Sequence, residues 1–92
     1  MIDSINISDI KKAYFIGIGG IGMSAIARYF LSIGIQVYGY DKTSTSLTDA
    51  LSKEGAVIQF QDDAADCPAD IDMVVYTPAI PADSMIKAFY TA

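Results

Sequence analysis

The chain has 92 residues, 52% of them hydrophobic, and a net charge of −5 at neutral pH. This length supports one small domain, which we expect to span residues 1–92. The six basic residues are scattered, so the composition excludes an electrostatic surface for nucleic acid. With no histidine and one cysteine, the chain lacks the commonest general base and metal ligand, and it forms no internal disulfide.

The first predicted element is a buried parallel strand over residues 13–18, which runs directly into a glycine-rich loop. Gly17, Gly19 and Gly22 satisfy the GxGxxG spacing of a phosphate-binding loop. We assign to them, in order, a tight turn, close approach of the backbone to phosphate, and close packing of helix on strand. A βαβ unit whose glycines serve only packing is the alternative. The helix start that follows offers free N–H groups to an anion, so the pattern favours a nucleotide or nucleotide-sugar pyrophosphate.

A helix is predicted for residues 23–33, with an apolar face formed by Ile26, Ala27, Phe30 and Leu31. Gly34 stands at the position of a helix C-terminal glycine. A second strand is predicted for residues 35–40, and Asp41 follows at its carboxyl end. Asp41 lies about 20 residues beyond the loop, where dinucleotide folds keep the acid that binds a ribose hydroxyl.

Residues 13–40 contain one charged side chain, Arg28, and are long enough to cross a bilayer. Because glycines and a strand–turn–helix–strand pattern explain this run, we expect no membrane span. The N-terminus carries Asp3 and no basic segment, so it does not have the pattern of a signal peptide. The single Cys67 agrees with a cytoplasmic location and is expected to be incidental, not a nucleophile.

Residues 41–46 form a polar loop rich in hydroxyl groups, and Ser46 or a neighbour is predicted to cap a helix over residues 47–53. Leu47, Ala50 and Leu51 are expected to face the sheet, and Gly55 to end the helix. The loop either only caps this helix or also contacts a nucleoside or sugar, because it lies on the ligand side of an open α/β sheet. A third strand over residues 56–60 and a solvated acidic connection over residues 61–70 complete this part.

A fourth strand, over residues 73–76, leads into Thr77-Pro78-Ala79-Ile80-Pro81, which either joins the ligand site or is a proline-bounded turn before a helix at residues 83–90. The glycine loop, Asp41 and this segment meet at one edge of the sheet. The fold class is therefore α/β, a Rossmann-like open, mostly parallel sheet with helices on both faces. Since a doubly wound sheet needs a further strand, we expect the chain to be a fragment of a longer protein.

Three segments of the chain resemble the N-terminal domain of the Mur ligase family. They are residues 15–24 with the Gly-Gly-x-Gly-Met-Ser loop, residues 37–41 ending in Asp41, and residues 74–80 around Thr77-Pro78-Ala79-Ile80. The resemblance covers residues 11–84, and its loop is fairly specific because dinucleotide loops rarely pair a double glycine with Met-Ser. Thr77 stands where the family usually carries serine, Tyr14 where many members place histidine, and the tail after Ile80 matches poorly.

The resemblance implies a three-domain cytoplasmic enzyme of peptidoglycan synthesis. In this family an acyl phosphate, formed with ATP and magnesium, allows L-alanine to be joined to UDP-N-acetylmuramate. The N-terminal domain holds the UDP-sugar, and the ATP loop lies in a central domain. The 92 residues are therefore expected to bind the UDP-sugar with no catalytic residue, metal or cofactor of their own, while other domains handle L-alanine and ATP.

Carried over to this sequence, the expected pyrophosphate cradle consists of Gly19, Gly20, Ile21, Gly22, Met23 and Ser24. Asp41, Lys42, Thr43 and Ser44 would lie near the uridine or sugar, and Thr77, Ala79 and Ile80 would form the opposite wall. The same GxGxxG spacing and Asp41 also fit the NAD(P)-binding domain of an oxidoreductase. A regulatory Rossmann-like domain without a catalytic partner is the third possibility.

Overall fold

Over residues 7–92, the computed structural model contains a four-stranded parallel sheet flanked by helices. The strands are β1 (Lys12–Ile16), β2 (Gln36–Tyr40), β3 (Val57–Gln59) and β4 (Met73–Val75), in the spatial order β3-β2-β1-β4. The helices are α1 (Ile21–Ser32), α2 (Ser46–Lys53) and α3 (Met85–Thr91), and short 3-10 turns cover Ile7–Asp9 and Ala64–Asp66. The predicted α/β class and parallel sheet are confirmed.

Alternating side chains of β1 divide the core into two apolar clusters. Ala13 and Phe15 belong to a cluster that includes residues of α1 and α2. Tyr14 and Ile16 belong to the other, which contains Ile86 of α3. All four β1 side chains are at most 1% exposed, so helices cover both faces of a buried central strand, as predicted.

The buried face of α1 differs from the predicted one at one position. Met23, Ala27 and Phe30 are buried, and Leu31 packs against the same cluster. The prediction for Ile26 is wrong, because its side chain is 43% exposed. Ile26 lies about 100° around the helix from Ala27, which places it beside the buried stripe.

Both predicted helix-ending glycines have positive φ angles, +89° at Gly34 and +115° at Gly55. The start of α2 is capped by Thr45, whose hydroxyl accepts the N–H of Thr48 at 3.3 Å while the Thr48 hydroxyl accepts the N–H of Thr45 at 2.8 Å. Leu51 is fully buried as predicted, whereas Leu47 and Ala50 are only partly buried. The fully buried polar side chain of Thr48 was not foreseen.

The acidic connection is only partly solvated. Asp62 accepts the N–H of Ile86 at 2.9 Å and the hydroxyl of Ser84 at 3.1 Å, so it caps the start of α3. The prediction of a solvated connection is wrong at Asp62, because its partners lie more than 20 residues away and leave no local signal in the sequence. Cys67 is buried against Tyr14, and burial raises the pKa of its thiol, which agrees with an incidental role.

Candidate functional site

The glycine loop begins with a tight turn immediately after β1. The N–H groups of Gly17 and Ile18 both donate to the carbonyl oxygen of Tyr40, at 2.7 and 3.0 Å. Gly17 has a φ of +88°, and its carbonyl accepts the N–H of Gly20 at 3.1 Å. Because side chains disfavour this left-handed conformation, the predicted role of Gly17 in a tight turn is confirmed.

The role predicted for Gly22, close packing of the helix on the strand, is wrong. A β-carbon added at Gly22 would meet no heavy atom within 4 Å. The close approach occurs instead at Gly39 of β2, where an added β-carbon would lie 2.6 Å from Cδ1 of Ile18. Gly22 therefore leaves open space in front of α1, and Gly20 has nothing closer than the Gly17 carbonyl oxygen at 3.5 Å.

The start of α1 exposes backbone N–H groups. Gly20 is its N-cap and makes no side-chain capping bond, and the first helical bond runs from the N–H of Ser24 to the Gly20 carbonyl at 2.7 Å. The N–H groups of the three residues before Ser24 have no acceptor within the helix: Ile21, Gly22 and Met23. In contrast, the side chains of Thr45 and Ser84 cap α2 and α3. Among the helices of residues 7–92, α1 thus offers the open, partially positive N-terminus.

A cleft of about 550 Å³ lies in front of this helix start. Gly17, Gly20 and Gly22 line it, together with residues from α1, the β2 end and the turn after β4: Met23, Ile26, Asp41, Thr77, Ala79 and Ile80. A second cavity of about 270 Å³ shares Asp41 and Ile80 and adds Lys42, Asp62 and Ser84. Both lie at the carboxyl edge of the sheet, where open α/β folds bind ligands.

A larger groove, of about 660 Å³, lies at the other end of β1 and β2. Its lining includes Lys11, Tyr29, Gly34 and Gln36. None of the glycine-loop residues contributes to it. We therefore take the cleft in front of α1 as the candidate site because of its open helix start and not because of its size.

Asp41 contacts backbone N–H groups with both carboxylate oxygens. Its Oδ2 accepts the N–H of Gly19 at 2.8 Å, and its Oδ1 accepts the N–H of Thr43 at 3.1 Å. The residues that follow it, Lys42, Thr43 and Ser44, are exposed. Asp41, which was expected near the uridine or sugar, is thus hydrogen-bonded to the backbone of two loops beside the cleft.

The last two residues of the expected cradle have buried side chains. Met23 is 8% exposed and belongs to the core cluster, so most of its side chain is unavailable to a ligand and the group that it offers is its backbone N–H, which has no acceptor within the helix. Ser24 is 7% exposed, and its hydroxyl donates to the Ile21 carbonyl at 3.0 Å while its N–H bonds to Gly20. Ser24 was expected to contact the pyrophosphate, but it has no free backbone N–H to donate.

The turn after β4 is stabilised by Thr77. Its hydroxyl oxygen accepts the N–H of Ala79 at 3.3 Å, and its carbonyl accepts the N–H of Ile80 at 3.1 Å. The structure therefore brings the glycine loop, Asp41 and Thr77–Ile80 together, as the sequence predicted. It adds Ile26, which was assigned to the core, and Asp62, which was assigned to solvent.

Comparison with known proteins shows the family to which the chain belongs. Residues 12–90 match the family model described as "Mur ligase family, catalytic domain". This chain belongs to the Mur ligase family. It is similar to UDP-N-acetylmuramate–L-alanine ligase of Cytophaga hutchinsonii, with 47% identity over 91 residues, which cover 94% of this chain and 20% of that protein.

Other Mur ligases show the same pattern of coverage. The UDP-N-acetylmuramate–L-alanine ligase of Porphyromonas gingivalis is 55% identical over 80 residues, which cover 80% of this chain and 17% of that protein. The enzyme of that name from Parabacteroides distasonis is 45% identical over 94 residues, covering 96% of this chain and 20% of that protein. The chain therefore spans about a fifth of the length of the curated relatives that it matches.

The Mur ligase family membership agrees with the resemblance identified from the glycine loop and the Thr77–Ile80 segment. Nothing in these comparisons supports the NAD(P)-binding alternative. Within residues 7–92, no helix has the length and apolar character needed to cross a bilayer.

Proposed function

We propose that this chain is the UDP-N-acetylmuramate-binding part of a ligase that adds L-alanine to UDP-N-acetylmuramate in peptidoglycan synthesis, with ATP as the energy source. The relatives that carry this activity in their names are 45–55% identical over 80–96% of this chain. The observation that carries the proposal is the uncapped start of α1, which faces a cleft with two glycines that leave its backbone accessible.

The pyrophosphate would be bound by backbone groups at the start of α1. The N–H groups of Ile21, Gly22 and Met23 point out of the first turn, and the helix dipole adds about half a positive charge there. Side chains at Gly20 or Gly22 would occupy the space in front of these groups. The chain carries a net charge of −5, so its overall field repels an anion. The attraction for the pyrophosphate must therefore come from the oriented backbone dipoles at the start of α1.

The uridine and sugar would lie on either side of the pyrophosphate, between two loops. Lys42, Thr43 and Ser44 are exposed and offer one ammonium and two hydroxyl groups to polar ligand atoms. Thr77, Ala79 and Ile80 form the opposite wall. Asp41 borders both cavities and connects the two loops that line them.

The ATP and magnesium of the reaction do not match groups of this chain. The sequence has no GxxxxGK[ST] loop, and residues 7–92 contain no group of three histidine, cysteine or acidic side chains able to hold a metal ion. When bound elsewhere in the ligase, ATP would supply the phosphoryl group that activates the substrate carboxylate. We assign to this chain the binding and orientation of the UDP-sugar, in one domain over residues 1–92, and a cytoplasmic location.

Thermal unfolding of the chain with UDP-N-acetylmuramate, NADH or ATP in separate samples tests the proposal. A ligand at about 100 times its Kd stabilises by about 2.7 kcal/mol, which raises Tm by several degrees in a small domain. We expect a shift with UDP-N-acetylmuramate and none with NADH. A shift with NADH alone would contradict the proposal and support an oxidoreductase.

The variant Gly20→Val tests whether the ligand binds at the glycine loop. A β-carbon at Gly20 meets only ordinary contacts, the nearest at 3.5 Å, so the variant should fold. The branched side chain would occupy the space of the pyrophosphate and abolish the shift. Ala25→Val, at an exposed position on the same helix, is the matched control and should keep it.

A further inference from the structure

The carboxylate of Asp41 connects two loops that border the cleft. Its Oδ2 accepts the Gly19 N–H at 2.8 Å, within the glycine loop, and its Oδ1 accepts the Thr43 N–H at 3.1 Å, in the loop after β2. Hydrogen bonds to an ionised acceptor are among the stronger ones in proteins. The position that reads a ribose hydroxyl in dinucleotide folds is here used to hold the protein's own backbone.

Packing around Gly19 leaves room for the carboxylate and little else. A β-carbon at Gly19 would lie 2.8 Å from Oδ2 of Asp41 and 3.1 Å from Cγ2 of Thr48. Thr48 is fully buried in the first turn of α2, where it forms reciprocal hydrogen bonds with Thr45. The glycine loop is therefore held between the Asp41 carboxylate and the start of α2.

We propose that Asp41 is a positioning residue that fixes the glycine loop in its anion-binding conformation and does not read the ribose of the bound nucleotide. This inference rests on the proposed function of the cleft. The bond to Asp41 uses the Gly19 N–H and leaves those of Ile21, Gly22 and Met23 for the phosphates. It follows that removing the Asp41 carboxylate does not change the ratio of the affinities for UDP and 2′-deoxy-UDP.

Asp41→Asn separates positioning from ribose recognition. A carboxamide has one acceptor oxygen and one donor NH₂ group. It can therefore accept a hydrogen bond from only one of the two backbone N–H groups, and its NH₂ group would face the other one, donor against donor. We expect the affinities for UDP, 2′-deoxy-UDP and inorganic pyrophosphate to fall together, by about tenfold, the effect of losing one hydrogen bond to a charged group. Asp49→Asn, which removes the same charge from an exposed position on α2, should leave all three unchanged.

Two outcomes of this titration would overturn the inference. If Asp41 contacted the ribose, Asp41→Asn would weaken the binding of UDP and leave that of 2′-deoxy-UDP and pyrophosphate unchanged. If Asp41 acted only through its charge, Asp41→Asn would raise the affinity for all three probes, because it removes a negative charge near the bound anion. Gly19→Ala provides a second test, since its methyl group displaces the carboxylate. The double variant Gly19→Ala/Asp41→Asn should then bind no more weakly than the weaker single variant.

Amide hydrogen exchange of the unliganded chain tests the positioning bond without any ligand. We expect the Gly19 amide to exchange at least about tenfold faster in Asp41→Asn than in the wild type, with the amides of β1 unchanged. Equal Gly19 exchange in the two proteins would overturn the inference. If the wild type binds none of the three probes, the proposed function fails, and this exchange experiment alone decides the role of Asp41.

Discussion

Gly22→Ala should stabilise the protein and weaken its ligand binding. Glycine in a helix is less favourable than alanine by about 0.5–1 kcal/mol, and a β-carbon at Gly22 would meet no heavy atom within 4 Å. Since 1 kcal/mol shifts Tm by about 4–8 °C in a domain of this size, we expect Tm to rise by about 2–8 °C. Thermal unfolding followed by far-UV circular dichroism measures this in a chain without tryptophan.

The added methyl group of Gly22→Ala faces the cleft, where the account places the pyrophosphate. The affinity for UDP-N-acetylmuramate should therefore fall by about tenfold or more, as for the loss of one charge-assisted hydrogen bond. Isothermal titration of wild type and variant gives this ratio. A more stable variant with unchanged affinity would refute the reasoning, because Gly22 would then not border the bound phosphates.

Gly39→Ala makes the same chemical change with the opposite effect on stability. Its β-carbon would lie 2.6 Å from Cδ1 of Ile18 and 3.0 Å from the backbone carbonyl oxygen of Phe15. Overpacking of this kind costs about 1–3 kcal/mol, so Tm should fall where Gly22→Ala raises it. A Gly39→Ala protein as stable as the wild type would contradict the close packing of β2 against the glycine turn.

Three further changes test other parts of the structure. Asp62→Ala should lower the free energy of unfolding by about 1 kcal/mol in urea titrations, because the Ile86 N–H loses its cap; an unchanged midpoint would contradict the cap. Burial raises the pKa of the Cys67 thiol, so Cys67 should react with iodoacetamide much more slowly in the folded protein than in urea. The backbone N–H groups of Lys11 and Lys12, at the start of β1, lower the pKa of Asp72 from its usual 3.8. The Asp72 carboxylate therefore contributes its full stabilisation above pH 3.8, and this stabilisation is lost as the pH falls through the lowered pKa. The stability difference between wild type and Asp72→Asn, measured by circular dichroism, should therefore shrink only in acid.

Elements with local signals were predictable from the sequence. Short apolar runs predicted the strands and glycines predicted the helix ends, where Gly34 and Gly55 have the positive φ angles that such an end requires. The GxGxxG spacing correctly placed the turn at Gly17. The meeting of the glycine loop with Thr77–Ile80 followed from the parallel sheet alone, since carboxyl ends share one edge.

Features that depend on long-range contacts were not predictable. The role of Asp62 as a cap for α3 depends on a partner 24 residues away, and the Asp41–Gly19 bond spans 22 residues. Spacing alone could not show which glycine provides close packing, because Gly22 and Gly39 differ only in what surrounds them in three dimensions. Ile26 was misassigned since apolar character alone does not distinguish a core face from the wall of a cleft.

The central claim is that the open start of α1 binds the pyrophosphate of a UDP-sugar. Its most direct test is titration of the ¹⁵N-labelled chain with UDP-N-acetylmuramate, with the amide signals followed by NMR. We expect the largest shifts at Ile21, Gly22 and Met23, with smaller ones in the turn Thr77–Ile80. Shifts confined to the groove at the other end of β1 and β2, or none at saturating ligand, would contradict the account.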